Sequence, residues 1–480
     1  MAILPELVIL TAALAFFALS LFKQIEFTHV KNTAICFGAI AIIASLINFN
    51  AQATLFLGSY EVDLYSQFFK LMISFGLAIV LIFGQDLKDI EDSVRPEYYM
   101  FLFLSALGLM MLVSSVELIA IFVSLELSSF ALYLLVPMRS DQNGLRMQME
   151  AGIKYILFGV MATGFMLFGM SYIFGLTGST YLSEIVTGLQ NAPQPAALFA
   201  VIMVLGGFFF KLAVFPMHFW VPDIYQGASN ETTGFIATVP KLGAVALLIR
   251  LMTLASGETQ FLIYLLMVLA LLSMFYGNLS ALVQKDFKRM LGFSGIAHAG
   301  FIMLGLLTMD VGGYAIAMYY ISGYVIMNLA CFLVLCNVSQ EGENLEIQDL
   351  KGLHKRQPVL AFILAVSLFA LAGIPPFVGF MGKFMLLTGA LNAGVVQTGM
   401  MNSPYLILVI LAAINTGIAI YYYLSVVRVA YTADPEEKPD VQVNGFTATV
   451  GVFLVLLIIM LGALPSKIIA IADTAVKTIM

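Results

Sequence analysis

Charged side chains are scarce in this sequence. They make up 10% of the 480 residues, and 61% of the residues are hydrophobic, whereas about a quarter of an ordinary soluble domain is charged. This balance excludes a soluble globular fold. The alternating segments of about ten residues that build a membrane β-barrel are missing, and so is a basic tail that could bind nucleic acid. The composition therefore indicates an all-α integral membrane protein surrounded by lipid.

Motifs for metal, nucleotide and redox chemistry are also missing. Cys36, Cys331 and Cys336 lie in or beside apolar runs without CxxC or metal-ligand spacing, so we expect them to be packing residues. There is no P-loop, GxGxxG or HExxH motif, and the chain is expected to bind no cofactor or metal of its own. No basic residue precedes Lys23, so the first apolar run lacks the start of a signal peptide and is expected to remain as a membrane span.

Long apolar runs recur along the whole chain, and each is long enough to cross about 30 Å of hydrocarbon as a helix. They predict fourteen spans, near 3–22, 33–49, 66–83, 98–114, 117–137, 147–174, 196–220, 231–254, 261–284, 287–308, 311–338, 358–389, 404–431 and 446–464. Segment 52–65 alternates in polarity and contains a turn, which predicts a small hairpin outside the membrane.

The distribution of basic residues tests this topology, because cytoplasmic loops carry an excess of lysine and arginine. Only Arg250, Lys467 and Lys477 fall on one side, and Lys70 falls at a span boundary. The loops after odd-numbered spans carry fourteen: Lys23, Lys31, Lys88, Arg95, Arg139, Arg146, Lys285, Lys288, Arg289, Lys351, Lys355, Arg356, Arg428 and Lys438. The bias predicts an even number of spans, with both termini on the side away from the cytoplasm.

Four lysines remain inside the predicted spans: Lys154, Lys211, Lys241 and Lys383. Each costs roughly 2.5–3.5 kcal/mol at a helix centre, so four cost on the order of 10–14 kcal/mol. That is comparable with the roughly 5–15 kcal/mol stability of a whole domain. Such a cost favours a functional role, although Lys154 lies near Glu150 and a span end, where its side chain could reach the membrane surface.

Glu126 is the one carboxylate expected near the middle of the membrane, with no other charge for eight residues before it or twelve after it. Burial favours the neutral form of a carboxyl or an amine, whereas pairing favours the charged form. A Glu126–lysine pair whose geometry changes could therefore capture and release a proton. A static salt bridge between helices is the alternative, and the excess of lysines over carboxylates weakens it.

Two spans contain helix-breaking residues close to a lysine. Lys211 lies five residues before Pro216, with Pro222 beyond, and Lys383 follows the run Gly373-Ile-Pro-Pro. Proline removes a helical hydrogen bond, and a broken helix inside a membrane frees backbone groups that can line a cavity. We therefore predict two broken helices, the seventh and twelfth spans, each with a buried lysine nearby.

An offset of five spans between the breaks makes the two copies cross the membrane in opposite directions, which indicates an inverted repeat with ion sites near the midplane. The same offset aligns the Glu126 span with the span carrying His298, and the Lys241 span with the one carrying Tyr421–Tyr423. His218 and His298 could each relay protons or merely pack. With Lys211, Lys241 and Lys383, they would form a polar axis along the membrane, completed by water.

The motifs on this axis resemble those of a known family. The runs KLAVFPMHFWVPDIYQGA from Lys211, QKDFKRMLGFSGIAHAGF from Gln284 and AGIPPFVGFMGKF from Ala372 are similar to the antiporter-like subunits of respiratory complex I, the proton-translocating NADH:quinone oxidoreductase. The Trp220–Gly227 part is similar to the N-type chains of that family. The resemblance extends over essentially the whole chain.

The resemblance implies an N-terminal three-helix segment with the hairpin (1–97), two inverted five-helix repeats (98–254 and 255–432) and a last helix (433–480). It implies proton transfer by Glu126, Lys154, Lys211, Lys241, His298 and Lys383, with a less settled role for His218. NAD, FMN, iron–sulfur clusters and quinone are then expected in partner subunits, and neighbouring antiporter-like and small membrane subunits as contacts. We hypothesise that opening a Glu126–Lys211 pair releases a proton that passes through Lys241 toward Lys383.

Two other functions agree with the same residues: a subunit of a multi-subunit sodium/proton antiporter, and a structural membrane subunit whose charges only pack. Association with NADH dehydrogenase subunits would exclude the antiporter, and the structural role predicts that deleting a charge impairs assembly rather than turnover. The full set of N-terminal helices favours a bacterial inner (plasma) membrane over the mitochondrial inner membrane.

Overall fold

The computed structural model describes residues 2–21, 27–84, 86–140, 146–253, 260–398, 404–432 and 440–480. Almost all of this part of the chain is helical. The helices are α1 (Leu4–Ser20), α2 (Phe27–Ile47), α3 (Leu64–Phe83), α4 (Arg95–Ser114), α5 (Leu118–Leu135), α6 (Met147–Thr177), α7 (Leu182–Asn191), α8 (Gln194–Leu212), α9 (Trp220–Gly227), α10 (Asn230–Thr253), α11 (Gln260–Leu282), α12 (Phe287–Leu306), α13 (Val311–Val338), α14 (Leu353–Arg356), α15 (Pro358–Ala372), α16 (Val378–Thr398), α17 (Pro404–Thr432), α18 (Gly445–Ala463) and α19 (Ser466–Lys477).

Thirteen helices in the described ranges are long and apolar enough to span a membrane. The 17-residue helix α1 is a shorter fourteenth, and α8–α9 and α15–α16 each form one broken span, so the predicted all-α membrane fold of fourteen spans is confirmed. The predicted boundary at residue 97 falls inside α4. The boundaries at 254/255 and 432/433, and the basic residues Lys23 and Lys438, lie outside the described residues.

The predicted hairpin is present between α2 and α3. Strands β1 (Ala53–Leu55) and β2 (Tyr60–Val62) pair antiparallel, with Ala53 opposite Val62. Tyr60 also bridges to Ser115 in the α4–α5 connection. The hairpin therefore joins the N-terminal helices to the next group along the chain.

Helix packing repeats with the predicted offset of five spans. Helix α4 packs on α5 and α10, while α11 packs on α12 and α17. Helix α6 contacts both halves of the first broken span, α8 and α9, and α13 contacts both halves of the second, α15 and α16. The same contacts thus recur in two sets of helices, α4–α10 and α11–α17. An odd offset gives the two sets opposite directions across the membrane.

The centre of the protein is formed by α10, α12 and α13, which are almost wholly buried. Helices α2, α6 and α17 lie at the periphery and expose large apolar side chains such as Leu157 and Ile407, as lipid surroundings require. Cys331 and Cys336 are buried as expected for packing residues, but Cys36 is exposed on α2, so the packing prediction is wrong for that residue.

Candidate functional site

The first broken span places Lys211 in the last turn of α8. The helix ends because Ala213 adopts a left-handed conformation with φ of 67°. Trp220 Nε1 donates to the Phe210 carbonyl at 2.9 Å, so an indole from α9 stabilises the break. Lys211 is only 6% exposed, and among the described residues its ammonium has no hydrogen-bond partner. A buried, unpartnered lysine beside a helix break is a group that can take up or lose a proton.

Glu126 lies half-buried on α5 and accepts a hydrogen bond of 2.7 Å from the Thr163 hydroxyl. Thr163 and Lys211 line one small cavity that leaves about 10 Å³ for the centre of a water molecule, which is room for about one water. The predicted Glu126–Lys211 ion pair is therefore not closed in this structure. Thr163 satisfies the carboxylate instead, and the cavity lies between this hydroxyl and the lysine.

The second broken span uses its lysine differently. Lys383 lies on α16, is 3% exposed, and donates to the Leu371 and Ala372 carbonyls at 3.0 and 3.1 Å. These carbonyls end α15 and have no partner within the helix, and a cation is favoured at the negative end of a helix dipole. Gly373 (φ 87°) terminates α15, and a Cβ there would lie 3.1 Å from Lys383 Cδ. The break is thus built around the lysine.

Lys241 lies at the centre, on α10, and is 1% exposed. Its ammonium donates to the Tyr324 hydroxyl at 3.0 Å and, at 3.4 Å, to the Gly295 carbonyl. A Cβ on Gly295 would lie 2.7 Å from Lys241 Nζ and 2.8 Å from Tyr324 Oη, so only glycine leaves room for this contact. No carboxylate among the described residues lies within ion-pair distance of Lys241.

His298 connects the middle of the site to two further tyrosines. Its Nδ1 is 2.7 Å from the Tyr320 hydroxyl and its Nε2 is 3.2 Å from the Tyr423 hydroxyl; Tyr423 also bonds to the Ser294 hydroxyl. The imidazole is 3% exposed, so its two ring nitrogens are occupied by hydroxyls that can both donate and accept. This geometry is suited to passing a proton across the ring.

The predicted axis is therefore continuous in only part of its length. Tyr324, whose hydroxyl bonds to Lys241, has its ring centroid 5.1 Å from the ring centroid of His298. Lys383 Nζ lies 5.0 Å from the ring centroid of Phe301, which is on the same helix as His298. Within the described part of the chain, no hydrogen bond links Lys211 to Lys241. The structure thus brings Lys241, His298 and Lys383 together and holds Lys211 and Glu126 apart from them.

His218 and Lys154 lie outside this series. His218 is fully buried against the rings of Phe215, Phe219 and Tyr276. Neither ring nitrogen has a hydrogen-bond partner among the described residues, so His218 packs as an aromatic side chain. Lys154 is 37% exposed and pairs with Asp223 at 2.6 Å and Glu150 at 2.7 Å. Its position near the start of α6 lets the ammonium reach the surface network, which is the alternative that the sequence left open.

Sequence reasoning missed Tyr320, Tyr324 and the burial of two lysines, although it aligned the span carrying Tyr421–Tyr423 with the Lys241 span. Tyr320 and Tyr324 belong to a tyrosine-rich run in α13, and a buried tyrosine hydroxyl needs a partner, a signal that could have identified them. Lys70, which the sequence placed at a span boundary, lies in the second turn of α3, where it is fully buried and pairs with Glu6 at 2.6 Å. Lys288 was assigned to a loop but is fully buried at the start of α12.

Comparisons with known proteins agree with this architecture. The profile of the family described as NADH:quinone oxidoreductase/Mrp antiporter, TM, matches residues 115–401. NADH-quinone oxidoreductase subunit N 2 of Opitutus terrae is 48% identical over 99% of this chain and 98% of its own length. The protein of the same name from Syntrophobacter fumaroxidans is 40% identical and covers 100% of this chain and 99% of its own length.

Solved structures show the same fold. A chain of respiratory complex I from Thermus thermophilus superposes with a TM-score of 0.83 at 29% identity, covering 98% of this chain and 99% of that chain. A chain of the Mrp complex from Dietzia sp. gives a TM-score of 0.86 at 18% identity, covering 100% and 96%, a likeness of fold alone. Because the profile spans most of the chain and relatives align from end to end, this protein belongs to the NADH:quinone oxidoreductase/Mrp antiporter family, and within it to the subunit N group.

Proposed function

We propose that this chain is a proton-translocating membrane subunit of an NADH-quinone oxidoreductase. The environment of Lys241 carries the proposal: the side chain is 1% exposed, at the centre of the helix bundle, and its polar contacts are a hydroxyl and a carbonyl. A permanently charged lysine without a counter-ion would be costly there. Reversible protonation is the role that this environment suits best.

The surrounding groups supply a route on either side of Lys241. Toward the second broken span, Tyr324, His298 and Tyr320 lead to the region of Lys383, which holds its proton against the carbonyl end of α15. Toward the first broken span, Lys211 and Glu126 flank a cavity that can hold a water. A proton released when the Glu126–Lys211 distance changes would pass through Lys241 to Lys383, with water between the groups that do not touch.

The energy needed to move one proton along this route is comparable with the energy of a single hydrogen bond at Lys241. Moving one charge against 100 mV costs about 2.3 kcal/mol. A hydrogen bond to a charged group contributes about 1.5–3 kcal/mol. Making or breaking the 3.0 Å contact between Lys241 and Tyr324 therefore changes the affinity of the lysine for its proton by the amount that one transfer step requires.

The redox chemistry is proposed to lie in partner subunits. Electrons would pass from NADH through FMN and iron–sulfur clusters to quinone in those subunits, while this chain, bound to neighbouring antiporter-like and small membrane subunits, moves protons without a redox centre of its own. The membrane is proposed to be a bacterial inner membrane, with both termini on the periplasmic side. The distribution of lysine and arginine supports this orientation, and the relatives named above are bacterial proteins.

A sodium/proton antiporter subunit is the competing assignment. The likeness to the Mrp chain supports a shared fold, whereas the relatives that are 40–48% identical over the whole chain are named as NADH-quinone oxidoreductase subunits. Purifying the affinity-tagged chain from native membranes in mild detergent distinguishes the two. We expect it to co-purify with NADH:quinone reductase activity. Recovery with antiporter subunits and no NADH oxidation would overturn the assignment.

A further inference from the structure

A second group of buried charged side chains lies at the membrane surface that carries most of the basic residues, and the route above does not use it. Asp89 comes from the α3–α4 connection, Arg139 follows α5, Glu231 lies in the first turn of α10 and Lys288 in the first turn of α12. Asp89, Glu231 and Lys288 are 2%, 5% and 0% exposed. We call these four residues the surface-side charge cluster.

Asp89 and Arg139 form the half of the cluster in which the charges are paired. Arg139 Nε lies 2.8 Å from Asp89 Oδ2, and its Nη atoms donate to the Gly342 carbonyl at 2.8 Å and to Asn344 Oδ1 at 2.9 Å. Burial raises the pKa of Asp89, and the nearby cations of Arg139 and Lys288 oppose that rise. This half is a fixed framework that ties the loop after α13 to the ends of α3 and α5.

Glu231 and Lys288 form the other half, which we call open because these two charges do not form an ion pair with each other. Glu231 Oε2 has no hydrogen-bond partner, and within the described ranges no cation forms an ion pair with this carboxylate. The end of α3 covers it, because a Cβ on Gly84 would lie 2.7 Å from Glu231 Cγ. In the part of the chain that the structure describes, Lys288 Nζ donates to a single group, the Ala228 carbonyl, at 2.8 Å. The start of a helix favours a carboxylate, but an oxygen without a partner remains available for a proton or a water molecule.

A polar line runs from this open half to Lys241. Glu231, Gly234, Thr238 and Lys241 are spaced by three, four and three residues, so they share one face of α10, over about 15 Å at 1.5 Å per residue. The Thr238 hydroxyl is fully buried and bonds within the helix, to the Gly234 carbonyl at 2.6 Å. No charged or bulky polar side chain interrupts this face between Glu231 and Lys241.

Helix α13 supplies the opposite wall of this line. At Gly234 two aromatic side chains narrow the line, because a Cβ there would lie 2.8 Å from Phe83 Cζ and 3.2 Å from Phe332 Cβ. Farther along α13, Tyr324 bonds to Lys241. Asn328 lies one turn from Tyr324, is 1% exposed, and donates to the Tyr324 carbonyl at 2.9 Å. The α10–α13 interface therefore has polar groups at its surface end, in its middle and at Lys241.

We infer that Glu231 is the proton-uptake group that loads Lys241 from the surface bearing the basic residues. The Glu231 carboxylate takes a proton from the aqueous phase to become a carboxylic acid. The proton then passes along water molecules hydrogen-bonded to Thr238 and Asn328 to the neutral amine of Lys241, which becomes an ammonium. Glu231 returns to the carboxylate form. The inference rests on the proposed proton-translocating function of Lys241.

The ionisable groups in electrostatic contact with Glu231 come from four parts of the structure: the α3–α4 connection, α4, α12 and α13. They are Asp89, Lys88, Tyr98, Tyr99, Lys288 and Cys336. Of these, only Lys288 and Lys88 are cations, and both donate to backbone carbonyls, Lys88 to that of Ser339 at 2.6 Å. The cations thus lower the cost of the carboxylate form without pairing with it, which keeps Glu231 able to change its protonation state.

The test compares Glu231→Gln, Glu231→Asp and Lys241→Gln in the assembled complex in inverted native membrane vesicles. NADH-driven proton uptake is measured per amount of assembled complex. Glu91→Gln is the matched control, since Glu91 is an exposed carboxylate near the same surface. We expect uptake with E231Q to fall at least about tenfold, as for removal of a proton-transfer group, E231D to recover most of the rate, and E91Q to be unchanged.

Uptake with E231Q within about twofold of the unmodified protein, while K241Q is impaired, overturns this inference and leaves the proposed function standing. Normal uptake with K241Q overturns the proposed function itself. E231D as slow as E231Q overturns the uptake role, because packing rather than the carboxyl group would then set the rate. If E231Q fails to assemble, Thr238→Val takes its place. A rate of proton uptake at or below about one third of the unmodified rate supports the route along α10, and an unchanged rate overturns it.

Discussion

Replacing Gly295 by alanine perturbs the centre of the site by a single methyl group. The added Cβ would lie 2.7 Å from Lys241 Nζ and 2.8 Å from Tyr324 Oη, well inside van der Waals contact, so the ammonium and the hydroxyl must move apart. A hydrogen bond to a charged group contributes about 1.5–3 kcal/mol. Because 1.4 kcal/mol corresponds to a factor of ten, we expect proton translocation to fall about tenfold to a hundredfold.

The assay is NADH-driven proton uptake by inverted vesicles, normalised to the amount of assembled complex. Gly164→Ala is the control, since Gly164 is also helical and a Cβ there meets nothing within 4 Å. We expect the control to translocate protons at the unmodified rate. Full activity of Gly295→Ala at unchanged assembly would refute the reasoning, because the Lys241–Tyr324 contact would then be irrelevant to transfer.

Three other predictions test separate parts of the molecule. Lys383→Met leaves two buried carbonyls without a partner, which costs about 1–3 kcal/mol for each carbonyl. We therefore expect lower thermal stability of the complex and loss of proton uptake. Lys383→Arg should restore thermal stability better than it restores proton uptake. Lys154→Ala breaks only part-exposed ion pairs, which contribute about 0–1 kcal/mol, so we expect uptake within about twofold of normal; a tenfold loss would place Lys154 in the route. Burial raises the pKa of Glu343, but hydrogen bonds from the backbone at 340 and 341 and from a serine hydroxyl outweigh burial and lower this pKa below its ordinary value. The ionised Glu343 carboxylate therefore stabilises the loop above the ordinary carboxyl pKa of about 4.3, and this stabilisation is lost as pH falls through the lower pKa of the folded state. Hydrogen exchange of residues 339–343 should accelerate at that low pH. In Glu343→Gln the exchange should be fast at every pH.

The membrane spans could be predicted from the sequence because hydrocarbon imposes a length and a composition on each of them. The broken helices were also predictable, since Pro216 and the Gly373-Ile-Pro-Pro run remove helical hydrogen bonds locally. Helices α7 and α19 were not predicted. They are short and amphipathic, and their apolar faces are covered by neighbouring helices, so no long apolar run marks them.

The buried lysines were predictable because a charge inside an apolar run is visible in one segment. Their partners were not, because Tyr324 is 83 residues from Lys241 and Tyr423 is 125 residues from His298. Glu231 and Lys288 lie at the ends of predicted spans, where the sequence does not show whether a side chain is buried. In the structure the end of α3 covers Glu231, and burial by a distant segment leaves no local signal.

The predicted pairing of Glu126 with Lys211 shows a further limit. Opposite charges in neighbouring spans suggest an ion pair, but the Thr163 hydroxyl can satisfy the carboxylate as well, at 2.7 Å. Which partner is chosen depends on helix rotation, and this follows from packing across the whole repeat. The sequence identified the charges, and the structure shows the pair in its separated arrangement.

The most direct measurement of the central claim is the number of protons translocated per NADH oxidised by purified complex reconstituted into liposomes, with Lys241 intact or replaced by Gln. Lys241 is the buried group to which both sides of the route lead. The account predicts that K241Q assembles in normal amount and loses most of its proton translocation. Undiminished translocation by a fully assembled K241Q complex would contradict the account.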